Sequence, residues 1–152
     1  MAMVLVVCID VLQRKFLNAA SALTPELEWH MFSLIFLLGA GYALKHDRHV
    51  RVDVFYSRFS KKGKALVDLL GTLFLLFPFC IVLAEASFAY VEFSYRFNEG
   101  SPDPGGLPAR YLIKSAIPAG VILLGLQGLA VAFENLLVLM GQPVSEPQKT
   151  EG

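Results

Sequence analysis

Three stretches of the sequence, residues 31–44, 69–84 and 115–133, contain no Asp, Glu, Lys or Arg. In hydrocarbon a backbone must satisfy its own hydrogen bonds, so a run of about 20 apolar residues folds as a helix that crosses the ~30 Å core of a bilayer. Flanking residues bring each run to that length. Leu27, Trp29 and His30 lead into the first, and the second continues past Glu85 to Val91. The third resumes beyond Glu134 and Asn135 with Leu136 to Met140. Composition points the same way, with 55% apolar and only 17% charged residues. That balance excludes a disordered chain, and two Cys exclude a disulfide scaffold. A net charge of zero removes any general electrostatic case for nucleic acid as a partner.

The fold class expected is an all-α membrane protein with four transmembrane helices and an interfacial amphipathic helix between the second and third. Residues 1–141 form a single integral membrane domain with spans at about 2–23, 27–44, 66–93 and 113–140, followed by a disordered cytoplasmic tail at 142–152. The first span is the least regular. Residues 1–13 are apolar apart from Asp10 and Gln13, yet thirteen helical residues cover only ~20 Å. No basic leader and no small-residue cleavage site precede Arg14 and Lys15, so a signal peptide does not fit. A tilted helix whose start lies upstream does.

Loop charges set the orientation. Residues 45–64 hold seven of the thirteen basic residues: Lys45, Arg48, Arg51, Arg58, Lys61, Lys62 and Lys64. With that loop in the cytoplasm, both termini are cytoplasmic as well. Eight basic residues then lie inside, counting Lys149, against five outside (Arg14, Lys15, Arg96, Arg110 and Lys114). Within the basic loop Val52, Phe55, Tyr56 and Phe59 recur at helical spacing, which predicts a short helix lying in the interface against lipid headgroups. An ordinary solvated basic loop is the plainer alternative. The other long link, residues 98–108, holds three Pro within seven residues and reads as a shaped loop.

Few residues could carry chemistry. Glu85, Glu92 and Glu99 recur every seven residues and share one helix face. A carboxylate inside a span is costly and marks a site by default. Glu85, with Glu134 in the last span, is the one deep enough to need a partner. Its functional reading is a proton or ion relay, and its structural reading is a hydrogen bond between helices or subunits. His30 and His46 lie ~24 Å apart along a helix, while His46 and His49 stand among Lys45, Arg48 and Arg51, a surface that repels a cation. No metal site and no cofactor follow. Cys8 and Cys80 read as small packing residues, and no phosphate loop or nucleophile motif is present. Small pairs four apart, Gly39/Ala43, Ala116/Gly120 and Gly128/Ala132, allow helices to approach closely in lipid. Pro78 and Pro118 fall inside spans and invite kinks.

Several stretches together resemble one family. Glu26-Leu27-Glu28-Trp29-His30, Gly39-Ala40-Gly41-Tyr42 and the run His46-Asp47-Arg48-His49-Val50-Arg51-Val52-Asp53 are similar to the small membrane subunit (DctQ type) of TRAP (tripartite ATP-independent periplasmic) transporters. The run from Glu99 through Asp103 to Arg110, then Leu112-Ile113-Lys114, Ile117-Pro118 and Leu126-Gln127-Gly128-Leu129-Ala130, resembles its mannitol/chloroaromatic-type branch. The likeness covers residues 12–140. Arg48 departs from it, standing where relatives usually have a small residue, and the first helix is shorter than the family's. The resemblance implies a small permease component in the bacterial inner membrane that is not an enzyme. Its partners are a large membrane subunit, a periplasmic substrate-binding protein and membrane lipids. The complex imports an organic anion, a carboxylate, on a sodium gradient that this chain does not itself bind. Such a subunit is a scaffold against which the large subunit's mobile domain slides.

Candidate interface or structural residues on this reading are Glu26, Trp29, His30, Gly39, His46, His49, Arg51, Asp53, Glu85, Glu99, Asp103, Arg110 and Gly128. Two other readings compete. One is an autonomous homo-oligomeric transporter or channel using Glu85 as its coupling acid; the other is a redox subunit that holds haem through its His residues.

Overall fold

The computed structural model describes residues 1–16, 21–45 and 59–142. All its regular elements are helical: α1 (Ala2–Phe16), α2 (Leu23–Lys45), α3 (Lys61–Gly71), a π-helical turn (Thr72–Leu76), α4 (Phe77–Arg96), α5 (Tyr111–Lys114) and α6 (Ala116–Leu139). The predicted interfacial helix, with His46, His49, Arg51 and Asp53, lies outside the described residues, as does the tail beyond Gln142.

Three segments are long and apolar enough to cross a membrane: Leu23–Leu44, Lys61–Arg96 and Tyr111–Leu139. The 36 residues of the second reach about 54 Å, longer than the ~30 Å hydrocarbon core. Helix α1 is different. Its described residues Ala2–Phe16 cover about 22 Å, and Ser21 and Ala22 are non-helical, so the helix does not run on to residue 23 as the sequence predicted. Pro25 explains the restart. Its fixed φ and missing N–H suit the first turn of a new helix and break an old one, and the Ser21 hydroxyl accepts from the Leu23 N–H at 3.2 Å.

The two prolines within spans disturb their helices in different ways. Upstream of Pro78 the chain relaxes into the π-turn, with the Phe77 N–H donating to the Thr72 carbonyl. The extra residue shifts the ladder ahead of a ring that would otherwise crowd the preceding turn. Ahead of Pro118 the helix interrupts at Ser115 between α5 and α6. There Pro118 offers no N–H to the Lys114 carbonyl, and its ring would press on that oxygen.

Helix α6 is the centre of the bundle, packing on α2, α3, the π-turn and α4, while α1 packs on α2. The α2–α6 crossing is a backbone contact. A Cβ on Gly120 would stand 2.7 Å from the Leu37 carbonyl oxygen, and one on Gly41 would stand 3.3 Å from that of Leu123. On the other side Gly128 receives the Leu76 side chain, which a Cβ would meet at 2.7 Å. Gly39 has nothing within 4 Å of its would-be Cβ among the described residues; two residues on, Gly41 makes the close approach to α6.

Burial is inverted relative to a soluble bundle. The buried apolar residues among those described are small, Ala65, Cys80, Ala116 and Val121, and they are joined by the polar Asp10, Thr24, Glu26, Thr72, Ser87, Ser94 and Lys114. Large apolar side chains stand outside, including Phe36 (68% exposed), Leu75 (74%) and Val82 (67%). No water-soluble monomer presents such a surface. It needs lipid or another protein against it.

Candidate functional site

The buried polar residues Glu26, Ser94 and Lys114 gather at one end of the bundle, where α2 and α5 begin and α4 ends. Glu26, in the first turn of α2, is 4% exposed. Its carboxylate accepts from the Leu107 N–H at 2.6 Å and from the Ser101 hydroxyl. Two residues that are 75 and 81 positions away are thereby tied to α2. Between them the loop closes on itself: Ser101 N–H donates to the Leu107 carbonyl at 3.1 Å, and Gly106 N–H to the Asp103 carbonyl at 3.1 Å. Gly106 leaves room for this, because a Cβ there would stand 2.8 Å from Glu26 Oε2.

A second anchor holds the loop's two ends together. Lys114 is buried, and its ammonium binds Glu99 Oε2 at 2.5 Å while lying 3.8 Å from the centre of the Tyr90 ring. Arg110 N–H donates to the Glu99 carbonyl at 2.9 Å. Ala109 is held at φ +58° and Asn98 at φ +43°. The left-handed region is unusual for alanine, and the bonds on either side of Ala109 keep it there. The loop is a built structure, as its three prolines predicted.

Aromatic and cationic groups complete this end. His30 Nδ1–H donates to the Glu26 carbonyl at 2.5 Å, and its ring lies 4.0 Å from that of Trp29. The Arg110 guanidinium sits 5.5 Å from the Trp29 ring centre, within cation–π range. Below them Ser33, Leu37, Ile113 and Ile117 continue a cleft of about 220 Å³ that Trp29, Tyr90, Arg110 and Lys114 roof. Asp103 is exposed on the loop surface. The arrangement joins elements and fixes a loop; Glu26 and Glu99 are occupied in doing so.

The cluster brings together five residues singled out in the sequence, Glu26, Trp29, His30, Glu99 and Arg110, with Asp103 on the same loop. Gly39, Gly128 and Glu85 lie away from it along the spans, and Glu134 is exposed near the far end of α6. Reasoning from sequence missed Lys114 and Ser101 as anchors. It also missed the buried Thr24 hydroxyl, which docks α1 on α2 by donating to Asp10 Oδ1 at 2.5 Å, and the Arg14 guanidinium, which binds Asp10 Oδ2 at 2.7 Å within α1. Lys114 was detectable in principle: a lone cation opening an apolar span needs an acid to meet it.

The Glu99–Lys114 pair gives the loop a pH dependence. The hydrogen bond from Lys114 holds the Glu99 carboxyl below its ordinary value of 4.5. Since folding lowers this pKa, the contribution is complete above 4.5 and is lost as pH falls through the lowered value. Trp29 is the only tryptophan and reports on the cluster through Arg110. Its emission is expected to hold steady from neutral pH down to 4.5 and to change only below it. The Glu99→Gln variant should show a smaller acid change, and an equal change in both would exclude Glu99 as its origin.

The sequence profile described as "Tripartite ATP-independent periplasmic transporters, DctQ component" matches residues 3–138. No curated protein matches the chain. The match takes in α1, α2 and all the helices that frame the loop lock, so its 152-residue sequence is covered nearly end to end. The chain belongs to the DctQ family, the small membrane subunit of tripartite ATP-independent periplasmic transporters.

Proposed function

We propose that this chain is the fixed scaffold of a secondary transporter importing an organic anion, a carboxylate, driven by a sodium gradient that the large membrane subunit uses. Membership of a tripartite transporter family makes it a multi-pass inner-membrane protein working beside a large membrane subunit and a binding protein. One observation carries the scaffold reading: the carboxylates at the loop end, Glu26 and Glu99, are engaged in holding the 97–110 loop to α2 and α5. A scaffold must resist being dragged when a neighbouring domain moves, and fixed loops and buried polar bonds supply that resistance.

On this reading α1 completes a four-helix membrane unit, and the basic residues 45–64 face the cytoplasm, with the interfacial helix anchored on anionic lipid. The locked loop then faces the periplasm, where Asp103 and its exposed neighbours meet the binding protein. The transported anion is recognised by the other two proteins.

Co-expression with a large membrane subunit of the same transporter family tests this directly. The expected result is a co-purified complex that transports in liposomes when the binding protein and a sodium gradient are supplied, with no flux from the small chain alone. Flux from this chain alone, abolished by Glu85→Gln, would replace the scaffold reading with an autonomous transporter.

A further inference from the structure

Glu85, Glu92 and Glu99 recur at seven-residue intervals, but the fold gives them different surroundings. Glu99 binds Lys114, and Glu92 binds Arg96 at 2.5 Å on the surface. The Glu85 carboxylate is exposed on the outside of α4 and has no hydrogen-bond or ion-pair partner among the described residues.

Its depth makes this costly. Lys114 over the Tyr90 ring marks the level where the polar end of the bundle begins. Glu85 lies five residues further in, about 7.5 Å along the helix. Between Asp68 and Glu92 it is the only acidic or basic residue of this span. The side chain is short and cannot reach the headgroups as a lysine would. At 100° per residue it also points about 140–160° away from Cys80 and Ser87, the buried face of α4. The bundle's own interior therefore offers it nothing, and acyl chains carry no donor.

We infer that the ridge of α4 carrying Glu85 is the face that meets the large membrane subunit, which presents a hydrogen-bond donor or a cation at that depth. Shape supports the assignment. Beside Glu85 a shallow apolar groove runs between Pro78, Phe79, Val82, Leu83 and Ala86, and Ala89 continues the ridge one turn on. The small residues admit close approach of a partner helix, which in lipid is the main source of helix–helix affinity. The carboxylate then fixes register, since a misplaced partner leaves it unpaired. This rests on the scaffold reading, because it needs a large subunit as occupant.

The test uses the co-expressed complex with a photo-reactive phenylalanine analogue at Val82, and at the exposed Phe36 of α2 as a comparison. The expected result is a cross-link from position 82 to the large subunit and little from position 36. Glu85→Leu is expected to lose roughly tenfold or more of the co-purified large subunit, the scale of one charge-assisted hydrogen bond, while Glu85→Gln retains most of it. Thermal unfolding of each purified variant separates lost assembly from lost folding. A cross-link from position 36 alone, a cross-link from 82 to a second copy of this chain, or full recovery with Glu85→Leu would overturn the assignment and leave the scaffold reading standing. Failure of the unmodified chain to co-purify with the large subunit would overturn both.

Discussion

Replacing Gly120 with alanine is expected to destabilise the bundle by about 1–3 kcal/mol, the range for forcing atoms into a packed contact. The added Cβ would stand 2.7 Å from the Leu37 carbonyl oxygen and 3.1 Å from its carbon. These are backbone atoms of α2, so no rotamer change clears them, and the two helices must separate. Separation also withdraws Gly41 from the Leu123 backbone, so both ends of the crossing loosen together. Gly125 is the matched comparison, with nothing within 4 Å of its would-be Cβ. Alanine there should be neutral or slightly stabilising, since glycine inside a helix is the poorer helix former by about 1 kcal/mol. Gly128→Ala falls between, because the atom it meets is the far end of the flexible Leu76 side chain. Unfolding in detergent should rank the variants 120 below 128 below 125. A Gly120→Ala protein as stable as Gly125→Ala would mean that the α2–α6 crossing is not a close backbone contact.

That ranking shows where sequence reasoning stops. Runs of apolar residues marked the three long helices, and the loop over 97–110 was legible because its prolines and glycines mark it. Small pairs four apart picked out Gly120 and Gly128, which meet neighbouring elements, and Gly39, which has nothing within 4 Å among the described residues, but not Gly41. Both glycines belong to α2 and lie 200° apart around it. Which of them faces α6 depends on how the helix is rotated, and an α2 that is apolar on nearly every side leaves that rotation unwritten. The first helix shows a related limit. Hydropathy carried it to residue 23, whereas Ser21 and Ala22 are non-helical and Pro25 suits the first turn of the helix that begins at Leu23.

The polar cluster was legible as residues but not as contacts. Glu26, Trp29, His30, Glu99 and Arg110 stood out individually, and their joining requires α2, α4 and α5 to end at one level. That follows from a fixed membrane thickness once the helices are known to span. The choice of Ser101 and Leu107 as partners for Glu26 does not, because loop geometry decides it. Glu85 stood out in the sequence as the one acid between Asp68 and Glu92, and only the packed bundle reveals that it points outward.

Removing the Glu26 carboxylate should produce the largest functional loss of any single change at the loop end. In Glu26→Ala the Leu107 N–H and the Ser101 hydroxyl lose their acceptor at once, in a space walled by α2 and too close for Gly106 to yield. The Leu107 donor is a backbone group that cannot turn elsewhere, and a buried unpaired donor is more costly than the bond was worth. The loop then detaches from α2 but stays tethered to α4 and α5 through Glu99 and Lys114. Partial release is the consequence, with the helices intact. Cleavage within residues 97–110 by a protease is expected to accelerate at least roughly tenfold, the factor that losing one charge-assisted bond gives in an opening equilibrium. Thermal unfolding of the spans should change far less. Where the loop meets the binding protein, transport should fall through weaker docking, so that raising the binding protein's concentration restores part of the rate. Glu26→Gln keeps one acceptor oxygen for Leu107 and should lie between the two. Unchanged proteolysis in Glu26→Ala would show that the loop holds its shape through its own internal bonds, and that α2 is a bystander to it.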